Sequence, residues 1–108
     1  MASEDVPVVV VPIPNGFKLT FRGPIQAQRE FLNAELDRVV KLKPSVVQLD
    51  LVGIEYIASE GLGILVGFRN KIVANAGTIT TISVHPKVLA MLKMSGLLPI
   101  LNVQLPPA

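Results

Sequence analysis

The sequence contains no cysteine and no tryptophan, and His85 is its single histidine. Without cysteine the chain has no disulfide framework, no thiolate ligand for a metal and no cysteine nucleophile. A single histidine without cysteine supplies none of the common zinc ligand sets. The sequence therefore predicts no metal site, and the absence of cysteine fits a reducing compartment.

Charged residues are also few, at 17% of the 108 residues, and the net charge is only +2. That excess of positive charge is too small to indicate binding to nucleic acid. Residues 61–108 nevertheless carry four basic residues and no acidic residue. This half of the chain either presents a weakly basic surface to a partner or simply exposes four solvated cations on helix faces.

The sequence has no stretch typical of a membrane span or an export signal. The longest apolar run near the start, residues 6–14, is interrupted by three prolines and is too short to cross a bilayer. Glu4 and Asp5 precede this run, where a signal peptide has basic residues. We therefore expect a cytoplasmic protein without membrane contact.

Large aliphatic residues are abundant. Leucine, valine and isoleucine together occupy 38 of the 108 positions. That number is enough for one hydrophobic core and excludes a disordered chain. We expect a flexible tail over residues 1–5 and a single domain over residues 6–108, with no internal repeat or linker.

The spacing of apolar residues predicts strands that alternate with helices. Apolar and β-branched runs predict strands over residues 8–13, 17–21, 46–51, 78–83 and 100–105. Helical spacing predicts helices over residues 26–42, 59–76 and 87–95. The order β-β-α-β-α-β-α-β predicts an α/β fold whose mostly parallel sheet has four to five strands and an antiparallel hairpin at one edge. The strand over residues 46–51 is expected to be central and covered on both faces.

Turn and cap residues mark several element boundaries. Asn15-Gly16 is the strongest hairpin-turn signal in the sequence. Gly77 is placed to end the second helix in the left-handed conformation, and Gly96 is placed to end the third. Ser59 is placed to cap the start of the second helix with its hydroxyl.

The stretch from Asp50 to Gly63 is the most informative part of the sequence, because a strand ends there and a helix begins. In open α/β sheets, ligands and partners bind at the carboxyl ends of strands, beside helix N-termini that favour negative charge. Glu60 in the first turn is stabilised by that field, while Gly61 and Gly63 leave the backbone uncovered. Each residue also has an ordinary structural interpretation: Asp50 can satisfy loop amides, Ser59 can serve only as a cap, and the glycines can serve only packing.

Support for an enzyme is weak. There is no glycine-rich loop followed by Lys-Ser/Thr that would bind phosphate, and Gly61-Leu62-Gly63 lacks the third glycine of a dinucleotide fingerprint. Ser59 lies in no Gly-x-Ser-x-Gly elbow, and the position of His85 is typical of a loop or cap residue. We predict no catalytic residue, no cofactor and no enzymatic activity.

Residues 46–65 resemble the signature of STAS domains, whose best-known members are the bacterial anti-sigma factor antagonists. In that family a strand ending in Leu-Asp-Leu-Ser leads through a hydrophobic loop to Asp-Ser-Ser/Thr-Gly-Leu at the start of a helix. Here the strand ends in Leu49-Asp50-Leu51, and the helix begins with Ala58-Ser59-Glu60-Gly61-Leu62. The resemblance extends over residues 8–105 and implies the STAS, or SpoIIaa-like, fold.

The resemblance implies a regulatory protein-binding module that takes part in the control of transcription. Family members of this type bind an anti-sigma factor, often a serine kinase, and thereby free the sigma factor. The kinase phosphorylates the serine or threonine before the motif's glycine, and the added charge then blocks binding. The resemblance thus implies a protein partner of this type in the bacterial cytoplasm, and a homo-oligomer is also possible.

Two positions of the motif differ in this sequence. Ala58 stands where the family has aspartate, and Glu60 stands at the phosphorylated position, whereas Ser59 matches the first serine. Position 60 therefore carries a permanent negative charge, which either mimics the phosphorylated state or suits a different partner. The residues that we predict to form the partner-binding and phosphorylation-motif surface are Asp50, Ala58, Ser59, Glu60, Gly61, Leu62 and Gly63.

Two further functions are compatible with these residues. The loss of the acceptor hydroxyl also fits an unswitched STAS scaffold subunit of a larger signalling assembly or of a transport system. A nucleotide or another anion can bind at a helix N-terminus, although Glu60 would compete with it. Many family members have one more helix after the last strand, where this sequence has Pro106-Pro107. The sheet surface left uncovered would be available to a partner or to a second copy.

Overall fold

The structure, a computed structural model, describes residues 7–22 and 29–104. Along these residues the elements are β1 (Val8–Ile13), β2 (Gly16–Arg22), α1 (Arg29–Lys41), β3 (Val46–Gly53), α2 (Ser59–Ala74), β4 (Thr78–Val84) and α3 (Pro86–Met94). The predicted order of these seven elements is confirmed, with bounds that differ by a few residues. The predicted tail over residues 1–5 lies outside the described residues, as does the start predicted for the first helix.

The four strands form one mixed sheet in the order β1-β2-β3-β4. The β1 strand pairs antiparallel with β2, whereas β2 with β3 and β3 with β4 are parallel pairs. Helices α1 and α2 are the crossovers between the parallel strands. The predicted fold class, a mostly parallel α/β sheet with an antiparallel hairpin at one edge, is confirmed.

Backbone hydrogen bonds join the amino ends of the three parallel strands. Asn15 takes the left-handed conformation with a φ of 68°, and its carbonyl accepts from the N–H groups of Ser45 and Val46 at 3.0 and 3.1 Å. The N–H of Thr78 in turn donates to the Ser45 carbonyl at 2.9 Å. A Cβ at Gly16 would lie 1.6 Å from the carbonyl oxygen of Val46, so only glycine fits at the start of β2. The predicted hairpin is confirmed, but its two turn residues are Pro14 and Asn15, and Gly16 is already the first residue of β2.

Among residues 7–22 and 29–104, the buried hydrophobic residues of the strands lie on one face of the sheet. These residues are Val8, Leu19, Phe21, Val47, Leu49, Leu51 and Ile79, which share that face through their pairing. The helices bury Leu32, Leu36 and Val39 of α1, Leu65, Phe68 and Ile72 of α2, and Val88 and Leu92 of α3. The molecule therefore has two layers, one of strands and one of helices.

The expectation that β3 is covered on both faces is wrong. Every second residue of β3 is buried, whereas Val46, Gln48 and Asp50 remain partly exposed. The polar side chains of Gln48 and Asp50 were the sequence signal for this alternation, since an amide and a carboxylate resist complete burial without partners.

The prediction of a last strand over residues 100–105 is also wrong. Among the described residues, Val103 forms one isolated parallel bridge with Thr81 of β4. The buried Thr81 hydroxyl donates to the carbonyl of Leu101 at 2.9 Å. Pro99 cannot donate to a ladder, and Asn102 has a φ of 49°, which is incompatible with an extended strand. This part of the chain therefore lies along the edge of β4 without extending the sheet.

The helix ends confirm one glycine prediction and correct another. Gly96 follows α3 with the predicted left-handed φ of 70°. After α2 the left-handed residue is Ala76, with a φ of 66°, and not Gly77. A Cβ at Gly77 would lie 2.6 Å from the carbonyl oxygen of Pro44. Gly77 is thus required by the close approach of another loop and not by its own backbone conformation.

Candidate functional site

The carboxyl end of β3 is held in place by Asp50. Its Oδ1 accepts a hydrogen bond from the N–H of Val52 at 3.1 Å, and the N–H of Ile54 donates to the carbonyl of Leu51 at 3.1 Å. The interpretation of Asp50 as a residue that satisfies backbone amides at a strand end is confirmed, although the amide belongs to Val52 of β3 and not to the loop. Asp50 therefore shapes the end of β3 before the loop that leads to α2, while it remains partly exposed.

The loop between β3 and α2 is anchored by two buried isoleucines. Ile54 and Ile57 have no exposed surface, whereas Glu55 and Tyr56 between them are exposed. The exposed fraction of Tyr56 is 62%. An aromatic side chain displayed on an anchored loop offers a large contact area at a small cost in conformational entropy. The sequence-based site prediction did not include Tyr56, although the order apolar-polar-polar-apolar over residues 54–57 was a signal for its exposure.

The start of α2 has no side-chain cap. Ala58 occupies the cap position with φ −88° and ψ 171°, and its side chain makes no cap hydrogen bond. Ser59 is the first helical residue and is exposed. The prediction that Ser59 caps the helix is wrong by one position, because a cap must precede the first helical residue. Within the part of the chain that the structure describes, the N–H groups of the first turn therefore have no side-chain cap.

Glu60 provides negative charge in this uncapped first turn. Its carboxylate forms an ion pair with the guanidinium of Arg29, the first residue of α1. Both side chains are about half exposed, at 47% and 55%. The starts of α1 and α2 are thus linked across the helix layer, and the charge at position 60 has a partner within the chain. Sequence reasoning missed Arg29, because no local spacing indicates a contact between two separate helices.

A second ion pair links the same two helices farther along. Nζ of Lys71 in α2 lies 3.3 Å from Oδ1 of Asp37 in α1. Between the helices lies a shallow cavity of about 160 Å³, and Gly63 and Gly67 are among the residues that line it. A Cβ at either glycine would meet no atom within 4 Å. The packing of α2 does not require glycine at these positions, so the interpretation that Gly63 serves only helix packing is wrong.

The remaining predicted site residues lie where α2 begins. Gly61 is buried, Leu62 is partly buried against the core, and Ser59, Glu60 and Gly63 are exposed. The first turn of α2 therefore exposes Ser59 and Glu60 and buries Gly61. Asp50 lies near the end of the preceding strand and accepts from the N–H of Val52 in the same strand. The prediction that all these residues bind a partner stays a prediction.

The described residues contain no group of three or more side chains suited to hold a metal ion. His85 caps α3, and its Nδ1 accepts from the N–H of Lys87 at 3.1 Å, so its predicted role as a cap is confirmed. Within the same ranges no helix has both the length and the apolar character that a bilayer crossing requires.

Comparisons with known proteins give one family model and two solved structures of similar fold. The family model described as "STAS domain" matches residues 8–106. The solved structure of an anti-sigma factor antagonist from Mycobacterium paratuberculosis is similar with a TM-score of 0.74 and 20% sequence identity, over 89% of this chain and 82% of that chain. The anti-sigma factor antagonist SpoIIAA in its unphosphorylated form has a TM-score of 0.73 and 17% identity, over 91% of this chain and 88% of that chain. No curated protein sequence gives a significant match.

Proposed function

Because the chain belongs to the STAS domain family, we propose that it is a regulatory protein-binding module of the anti-sigma factor antagonist type. The proposed partner is an anti-sigma factor of the serine kinase class, bound in the bacterial cytoplasm in the control of transcription. The two similar structures, both named as anti-sigma factor antagonists, support this choice. The proposed module has no catalytic activity of its own.

The proposed binding surface is the α2-start surface, which comprises the predicted motif residues together with Tyr56 and Arg29. Tyr56 supplies exposed apolar area beside a helix start whose backbone N–H groups have no side-chain cap. Gly63 adds a stretch of open backbone on the same helix. Tyrosine and arginine are enriched among the residues that dominate binding at protein interfaces.

The ion pair between Glu60 and Arg29 carries the proposal about regulation. A phosphoserine brings a charge of about −1.5 to −2 at pH 7 and beside Arg29 would leave a net charge of about −0.5 to −1, whereas the side chains of Glu60 and Arg29 together are neutral. Position 60 therefore does not reproduce the electrostatics of a phosphorylated residue. We infer that the α2-start surface is fixed in the state that binds the partner and is not switched at position 60.

Capture experiments with a matched control test the surface. The chain and its variants Glu60→Lys and Leu62→Asp are immobilised and exposed to lysate of the source cell. The control is Asp37→Lys, which changes the same charge in the other exposed ion pair between α1 and α2. We expect capture of an anti-sigma factor by the parent chain and by the control, and at least a tenfold loss with Glu60→Lys. Retention of that complex by both Glu60→Lys and Leu62→Asp would show that the surface is wrong.

An unswitched scaffold subunit of a signalling assembly or transport system is the second candidate, favoured by Ala58 and Glu60 in place of the family's aspartate and acceptor. Capture of an anti-sigma factor distinguishes the two candidates, and the exposed Ser59 tests whether the module is switched at the neighbouring position. Incubation with the captured kinase and ATP, followed by intact-mass measurement, is expected to show no added phosphate if the module is unswitched. A single added phosphate that disappears in Ser59→Ala would show that switching has moved to the neighbouring hydroxyl.

A further inference from the structure

The first turn of α3 depends on a histidine for its side-chain cap. Pro86 is the first helical residue and has no N–H, and the N–H of Leu89 donates to the carbonyl of His85 at 2.9 Å. The N–H groups of Lys87 and Val88 remain. The imidazole of His85 serves one of them, because its Nδ1 accepts from the N–H of Lys87 at 3.1 Å. One ring nitrogen is thus the side-chain acceptor at this helix start.

This hydrogen bond requires a neutral imidazole. In the neutral ring one nitrogen donates and the other accepts, whereas both nitrogens donate once the ring is protonated. Nδ1 can accept from the N–H of Lys87 only while the single ring proton is on Nε2. Protonation therefore turns the acceptor into a donor that faces another donor. It also places a positive charge at a helix N-terminus, where the backbone field is unfavourable to cations.

No ion pair stabilises a positive charge on this imidazole. The first turn of α3 contains no acidic residue, and Lys87 adds a positive charge of its own there. The acidic side chains of β3 and of the segment that follows it are Asp50, Glu55 and Glu60. None of the ion pairs among residues 7–22 and 29–104 involves His85. A proton on His85 would therefore lack a paired carboxylate.

The elements beside the start of α3 also lack negative charge. The preceding strand, β4, has no charged residue. A cavity of about 640 Å³ borders Pro86 and Leu89, and none of its described lining residues is charged. The basic residues of α2 and the last turn of α3 are Arg69, Lys71 and Lys93. The surroundings of His85 thus favour its neutral form, in which the cap is made.

We propose that His85 is a proton-sensitive cap, which loosens the start of α3 as the pH falls below about 6.5. The cap is made only in the folded chain and only by the neutral ring, so the unfolded chain binds the proton more readily. By linkage, the stability that the cap contributes is complete above the ordinary titration range of histidine and is lost as the pH falls through it. Val88 and Leu92 still attach α3 to the core, so the loss is confined to the first turn.

Urea unfolding at about pH 8 and about pH 5.5 tests the proposal, because the single histidine is the side chain that ordinarily titrates between them. His85→Asn supplies a cap that does not titrate, and His85→Ala supplies none. The parent chain is expected to match His85→Asn at the higher pH and His85→Ala at the lower. Relative to His85→Asn, its unfolding equilibrium constant should rise about fivefold at the lower pH. A parent chain that responds to pH like His85→Asn would overturn the proposal.

The nitrogen chemical shifts of the imidazole test the cap independently of stability. At about pH 8 we expect the ring proton on Nε2, since Nδ1 accepts from the N–H of Lys87. As the pH falls, the amide proton shift of Lys87 should change together with the ring nitrogens in the parent chain and stay constant in His85→Asn. A ring proton on Nδ1 at the higher pH would contradict the proposal. None of these measurements involves the proposed anti-sigma partner, so either proposal can fail alone.

Discussion

The starts of α2 and α3 differ in how the free N–H groups of their first turns are capped. At α3 the imidazole of His85 accepts from a free N–H of the first turn, and Pro86 removes one N–H by its chemistry. At α2 the cap residue is Ala58, which has no acceptor, and the first-turn acid Glu60 is paired with Arg29. The first turn of α3 has a side-chain acceptor and a proline. The cap residue of α2 provides no acceptor for the N–H groups of its first turn.

What holds the uncapped start of α2 is burial on its N-terminal side. Ile57 directly precedes the cap residue and has no exposed surface. The corresponding residue before α3 is Val84, which is only partly buried. The comparison teaches that a helix start can be fixed by an apolar anchor when its polar groups are kept for another use. We expect the following substitutions to break or sharpen this contrast.

Ile57→Ala is expected to have the largest effect. It removes the buried anchor before α2 and leaves a cavity, with a loss of about 2–5 kcal/mol in the free energy of unfolding. Urea denaturation measures this loss. Val84→Ala is the counterpart before α3 and should cost clearly less, because that side chain is only partly buried. Equal losses for the two variants would contradict the idea that α2 depends more on its anchor.

His85→Ala is expected to have the next largest effect. It removes the acceptor for the N–H of Lys87 and so the cap of α3, with a loss of about 1 kcal/mol. Thermal unfolding monitored by circular dichroism measures it. His85→Asn supplies another cap acceptor and is expected to retain most of the stability. A variant His85→Ala as stable as the parent would mean that Pro86 alone suffices at this helix start.

Ala58→Asp is expected to raise the stability of the protein, whereas the two substitutions above lower it. An aspartate at the cap position can accept from the free N–H groups of the first turn and should raise the stability by about 0.5–1 kcal/mol. The same substitution gives an acceptor to N–H groups that the proposed partner would otherwise contact. We therefore expect higher stability with weaker capture of the partner, and an increase in both would argue against a role for the free donors.

Arg29→Gln is expected to have the smallest effect on folding. An exposed ion pair contributes about 0–1 kcal/mol, and less in high salt. Lys71→Gln removes the cation of the other exposed pair and serves as the control for stability. Only Arg29→Gln is expected to change capture of the partner, because it leaves the charge of Glu60 uncompensated. Comparable capture by both variants would show that Arg29 has no role in recognition.

Much of the fold could be predicted because local patterns agree with it. Residues close together in the sequence were enough to predict the alternation in β2, the hairpin turn at Asn15 and the helical period of α2. The predictions are wrong where groups distant in the sequence determine the local structure. Residues 100–105 have the composition of a strand, but Pro99 and the left-handed Asn102 place the chain along β4 through a single bridge. The position of Gly77 depends on the approach of Pro44 from another loop.

The candidate site could be predicted only as a segment. The motif marks the start of α2, and the role of Asp50 at the strand end and the cap role of His85 follow from their positions. The ion pair of Glu60 with Arg29 joins two helices, and the local spacing of residues does not predict it. Whether Ser59 or Ala58 is the cap depends on a shift of one residue, which apolar spacing does not determine.

The hydrogen bonds between Asn15, Ser45 and Thr78 at the amino ends of the strands have a consequence for the evolution of this fold. They come mainly from main-chain groups, so substitutions of most side chains leave them intact. Variation can then accumulate at the opposite ends of the strands, where the β3–α2 loop lies, without loss of strand order. A library randomised at Glu55 and Tyr56, both exposed, should therefore yield mostly folded proteins with altered partner choice. In this way a lineage can exchange partners while it inherits the same sheet.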